Sequence, residues 1–256
     1  MIRPDVISGV VPVVVRVRTG ALLAACAAAL VACGGAAPLA PELALGTAPA
    51  GQRPVALPAF PPGGIGAGPQ WPHACDLLTD DEVRAVLPQA TGIARAGAAD
   101  TIDHALLADL GVGDPAAPDI AVPERSCTLA VGLPAVDDTG AAARVSGTIE
   151  VRVTMVGGAD TVGYFWSPFQ SQPLPGPVDD RCVEEFPDHR PDPSIGTFGC
   201  RADAIAVTLT TGLPIPDGWH LRLAGDPADT DAAVVGQWFR ERVGPALVGV
   251  VARRLP

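Results

Sequence analysis

The chain has no lysine: all 17 of its basic residues are arginine, set against 28 acidic ones for a net charge of −11. That absence removes any Ser-x-x-Lys arrangement, and the negative balance disfavours nucleic acid, whose affinity comes largely from neutralising phosphates. No run of basic residues is long enough to make a patch. Gly-x-Ser-x-Gly, His-Glu-x-x-His and a phosphate-cradling glycine loop are also missing, so the sequence predicts no catalytic residues and no cofactor. Only four histidines occur, His73, His104, His189 and His220, none beside a nucleophile in sequence; each reads as a surface or loop residue. Aromatics make up 4 % of the chain against 48 % hydrophobic residues, so a core must rest on Val, Leu, Ile and Ala. An acidic surface chiefly keeps an exported protein soluble.

What is present begins with an address. Arg16 and Arg18 precede an unbroken apolar run, Ala21 to Ala32, which is too short for a bilayer span of about 20 residues. Leu30-Val31-Ala32-Cys33 then matches a lipobox, with Leu and small Ala at the positions that set cleavage before a lipid-modified cysteine. In register with a charged region and an apolar core, the motif predicts a lipoprotein signal peptide over residues 1–32 and lipidation of Cys33. Leu23-Ala24-Ala25-Cys26 is a poorer match because its apolar run is much shorter. The apolar stretch before Arg16 is unusual for a signal peptide, and a translation start at Val15 or Val17 is expected instead. The implied location is the extracytoplasmic face of the cell membrane, held by acyl chains that each contribute about 0.8 kcal/mol per buried methylene.

Residues 33–70 carry eight prolines with many Gly and Ala and no hydrophobic period, which predicts a disordered tether with no strand in it. Residues 71–256 then read as a single α+β domain. Thr79-Asp80-Asp81-Glu82 is a capping box, Leu78 and Val83 are placed as a hydrophobic staple, and Pro88 or Gly92 ends the helix. Residues 99–125 look like a loop in which Leu106, Leu107 and Leu110 form one helical turn. Strands are expected at Cys127–Val131, at Thr148–Val156 by strict alternation, at Ala204–Thr210 and at His220–Leu223. A long helix from about Asp229 to Arg254 closes the chain, with Val234, Val235, Trp238, Phe239 and Val243 on one face and a kink at Gly244-Pro245. Terminal helices around an antiparallel sheet make the expected architecture.

Four cysteines remain in the domain, and an even count in an exported protein favours disulfides. Of three connectivities, Cys75–Cys127 and Cys182–Cys200 are expected, the second closing a proline-rich loop. A Cys/His zinc site using His189 is the rival, weakened by the lack of Cys-x-x-Cys spacing. Asp179, Asp180, Glu184 and Glu185 surround Cys182 as a solvated acidic loop, with a cation site as the alternative. Tyr164, Phe165, Trp166 and Phe169 place four aromatics within six residues. Packed inward they supply bulk to an aromatic-poor core, the favoured reading; exposed, they form the best candidate binding surface.

Cys75-Asp76-Leu77-Leu78-Thr79 with the acidic helix start after it, Cys127 opening a strand, and Trp238-Phe239 in the closing helix carry a resemblance. With the all-arginine, Gly-, Ala- and Pro-rich composition, the chain resembles small secreted actinobacterial lipoproteins of unknown function. These are akin to the extracellular sensor domains of some mycobacterial receptor kinases. The resemblance implies a fold and an extracytoplasmic setting, with no activity attached. Leu129 stands where that group often has an aromatic, and residues 157–200 are an elaboration. The function expected is a non-catalytic binding or scaffolding module at the envelope, with an unspecified protein or small molecule as its partner. A sensor-like domain acting with a membrane partner is the alternative, followed by an envelope hydrolase.

Overall fold

The computed structural model describes residues 42–109, 111–112, 114–166, 171–174, 181–185, 192, 194–225 and 231–256; Cys33 and the signal segment lie outside them. Its centre is an antiparallel sheet built on two long strands, β3 (Ile120–Asp137) and β4 (Ala142–Val156). They join through a tight turn in which Asp137 accepts bonds from the Thr139 and Ala141 amides, both at 2.9 Å. Counting β1 as Glu42–Leu43, the others are β2 (Gly92–Ile102), β5 (Ser171–Pro173), β6 (Cys182–Glu185), β7 (Ile195–Ala202) and β8 (Ile205–Gly212). They lie in the order β2-β3-β4-β8-β7-β6-β5. The short β9 (Trp219–His220) pairs with β3, while β10 (Arg222–Leu223) pairs in parallel with β1. Alternation sends Leu129, Val131, Ile149, Val151 and Leu209 to one face, where each is buried. That face is covered by helices, which makes the α+β class expected from the sequence.

Helix α1 (Asp80–Val86) forms where the capping box placed it. The Thr79 hydroxyl accepts from the Glu82 amide, Glu82 reaches back to the Thr79 amide at 2.7 Å, and the helix stops at Leu87, just before Pro88. Leu78 and Val83 are both buried, as a staple requires. Glu82 also takes Arg254 Nη2 at 2.7 Å, which ties this helix to the chain end.

The stretch expected as a loop, residues 99–125, is mostly ordered. Strand β2 fills its start, α2 (His104–Asp109) replaces the single turn, and β3 begins at Ile120. Strand β2 escaped the pattern because its side chains are mainly Ala and Gly, which give no alternation of polarity.

The stretch expected as a strand-free disordered tether is packed on the domain wherever it is described, and it opens with β1. Residues 42–70 lie along the domain, with Leu43 1 % exposed and Val55, Leu57, Phe60 and Ile65 packed against the core. The amides that the prolines leave are bonded one at a time: Gly46 to Val86 O at 2.9 Å, Val55 to Arg254 O at 2.7 Å and Gly66 to Val156 O at 2.8 Å. Scattered apolar anchors on an extended chain bury surface without any period, which is why the sequence read as a linker. Where this strap meets the end of β4 the two backbones nearly touch. A Cβ on Gly158 would lie 2.2 Å from Pro61 O. Gly158→Ala therefore forces the strap away, at a cost of about 1–3 kcal/mol. Limited proteolysis should then cut within residues 42–70 before the sheet, whereas the wild-type strap resists.

The closing helix runs unbroken over 21 residues as α4 (Ala232–Trp238), a π-turn (Phe239–Val243) and α5 (Gly244–Ala252). The expected break at Pro245 is absorbed by that turn, which widens the helix just where the proline lacks a donor. Val235, Phe239 and Val243 are buried, while Val234, expected on the same face, is 47 % exposed. The widening shifts the register of side chains, so a plain 3.6-residue reading overextends the apolar face.

Candidate functional site

All four described cysteines are oxidised. Cys75 bonds to Cys127, and Cys182 to Cys200, its direct partner across β6 and β7. Both expected pairings are present, and with those thiols committed the zinc reading falls. Asp179, Asp180 and His189 lie outside the described residues. Glu184 approaches Arg240 Nε at 3.8 Å, and among the described residues no three His, Cys, Asp or Glu side chains converge as a metal cage.

The aromatic segment divides. It ends helix α3 (Ala159–Phe165), a short element the sequence reading did not foresee. Trp166 packs against the core and lies on Gly199, where an added Cβ would come within 2.4 Å of its ring. Tyr164 points outward, 48 % exposed. Phe169 and the side chain of Phe165 lie outside the described residues. Of its described side chains, Trp166 supplies bulk and Tyr164 is exposed.

Each described histidine is tied at the surface. His73 Nδ1 sits 3.4 Å from Glu124, His104 Nδ1 donates to Pro118 O at 2.6 Å, and His220 Nε2 is 2.8 Å from Asp138. Ser194, which lines a cleft on the sheet, turns its hydroxyl and amide onto Asp192 at 2.7 and 2.8 Å. Those two bonds hold the Asp192 carboxyl below its ordinary value. A hydroxyl donating to a carboxylate with no imidazole between them is fixed as part of a turn; it is not activated as a nucleophile.

The face of the sheet opposite the helices is polar. Cross-strand neighbours on it run Thr128, Glu150, Thr210 and Thr197 in one row, and Ser126, Arg152, Thr208 and Gly199 in the next. Trp166 covers the second row at Gly199. Beside the first row a cleft of about 260 Å³ opens between β4, β8 and the start of β7. Its floor carries Thr148, Glu150 and Thr210, and its rim Asp192, Ile195 and Pro214. Arg152, two residues from Glu150 on the same face, reaches away to Asp100 at 3.2 Å, where Arg125 also donates at 2.7 Å. Among the described residues the Glu150 carboxylate has neither an ion pair nor a hydrogen-bond donor. Alternation placed Glu150 on the wet face of its strand, but nothing in the linear sequence reveals that its arginine neighbour is engaged elsewhere.

No protein family, curated protein or solved structure matches the chain.

Proposed function

We propose that the chain is an exported lipoprotein, acylated at Cys33 after loss of residues 1–32, whose domain is a non-catalytic binding module outside the cell membrane. The observation that carries this reading is the pairing of all four domain cysteines as disulfides, bonds that persist in oxidising compartments. The lipobox ending at Cys33 supplies the means of attachment. The open polar face with its cleft supplies the surface for contact.

The test is a Cys33→Ser variant expressed beside the wild type. Wild-type protein should partition into the detergent phase and be shaved from intact cells by added protease. The variant should move to the aqueous phase while keeping both disulfides. A wild type already in the aqueous phase, with no precursor accumulating when the lipoprotein signal peptidase is inhibited, defeats the proposal.

A further inference from the structure

We infer that the cleft beside β4 and β8 binds a primary alkylammonium group on an aliphatic stem, of the kind a lysine side chain presents, with Glu150 as its counter-charge. The inference rests on the binding-module reading and gives it a ligand chemistry. Glu150 is half-buried on the cleft floor and its carboxylate is unpaired among the described residues, because Arg152 is drawn off to Asp100. A carboxylate partly withdrawn from water and without a cation gains most from an incoming positive charge. An ammonium has three donors to place. The floor offers the Glu150 carboxylate and the hydroxyl oxygens of Thr148 and Thr210 as acceptors.

The rest of the cleft suits the stem. Ile195, which is 39 % exposed, stands with Pro214 and Gly212 along the wall, and the threonine methyl groups add to that apolar surface. Long cationic side chains bury their methylenes against such walls while the head reaches polar groups. A volume of about 260 Å³ is small for a drug-sized ligand and ample for a four-carbon chain. Asp192 on the rim adds negative charge, and the chain's overall balance of −11 draws cations toward the surface. Because the chain contains no lysine, neither this molecule nor a second copy of it can fill the cleft with that side chain. The occupant comes from elsewhere.

The experiment uses the lipid-bearing mature protein in detergent and two probes, Nα-acetyl-lysine methylamide and its Nε-acetylated counterpart, followed by saturation-transfer NMR. The charged probe should bind saturably, in the millimolar range fitting a site open to solvent, and weaken as salt is raised. The acetylated probe should not bind. Glu150→Gln should weaken binding at least tenfold, and Thr210→Val, which keeps the branched shape and loses the hydroxyl, severalfold. Asp81→Asn, on the exposed face of α1, should leave binding unchanged. Equal binding of both probes, or wild-type affinity in the folded Glu150→Gln protein, overturns the inference. So does an absence of binding by the charged probe. If that failure comes with normal detergent partitioning, the ligand class is wrong and the anchored domain stands; loss of partitioning strikes the reading beneath.

Discussion

Replacing Cys75 and Cys127 together by serine should destabilise the domain by about 4 kcal/mol in the loop-entropy account. The bridge spans 52 residues of sequence and joins the turn at Ala74–Leu77 to the middle of β3. The same treatment of Cys182 and Cys200, 18 residues apart, should cost about 3 kcal/mol. The order of the two effects depends only on the length of chain each bond encloses. Denaturant titration of the two double variants checks it, and equal midpoints would count against the loop account. Around Cys75 the chain keeps other ties after the bond is lost. Its amide donates to Glu124 at 3.0 Å, while Arg95 donates to the carbonyls of Cys75 and of Leu78, the latter at 2.8 Å. The first variant should therefore lose stability without losing the sheet.

Glu82→Ala should be comparably severe, at about 3–5 kcal/mol. Glu82 is 5 % exposed and accepts the Thr79 amide, the Thr79 hydroxyl at 2.9 Å and Arg254. Alanine uncaps the helix and leaves Arg254 without its carboxylate in a largely buried position, where its Nε already has no partner. The pair also responds to acid. Burial pushes the Glu82 carboxyl up, but the bonds from Thr79 and Arg254 outweigh it, and the net displacement is downward from 4.5. A carboxylate depressed by folding stabilises the native state above its unfolded value and loses that contribution as pH falls through the folded one. Melting temperature should therefore drop as pH is lowered below about 4.5. Glu82→Gln should flatten part of that slope, with Asp100, held low by the Thr101 amide and then by Arg125, supplying some of the remainder. A wild-type melting temperature that stays level over this range contradicts the assignment.

How far the sequence reveals the fold depends on whether a segment announces itself through contrast. The cap at Thr79 is chemical and local, so the start of α1 was legible to the residue. Strands β4 and β8 alternate Ile, Val and Leu with Glu, Arg and Thr, and a buried face follows from that period. Strand β2 carries almost no contrast. Its Ala and Gly side chains gain order from the hydrogen bonds of β3, a tertiary cause invisible in a short window. The strap over residues 42–70 shows the opposite failure. Its prolines hid a short strand, since Glu42–Leu43 pairs with β10, and beyond it order came from isolated anchors such as Val55 and Phe60. At the candidate site, each of Glu150, Arg152 and Asp100 was readable as a charged surface residue. Which two of them pair is decided by how far apart the strands set them, and that leaves Glu150 over.

The described strap begins at Glu42, nine residues after Cys33 in the sequence. On the proposed acylation of Cys33, the nine-residue separation between that thiol and Glu42 holds the domain within about 30 Å of the lipid surface even at full extension. Search for a ligand is then nearly two-dimensional. Molecules held at the same surface meet the domain at high local concentration, so a weak contact there can be occupied when the same contact in bulk solution is not.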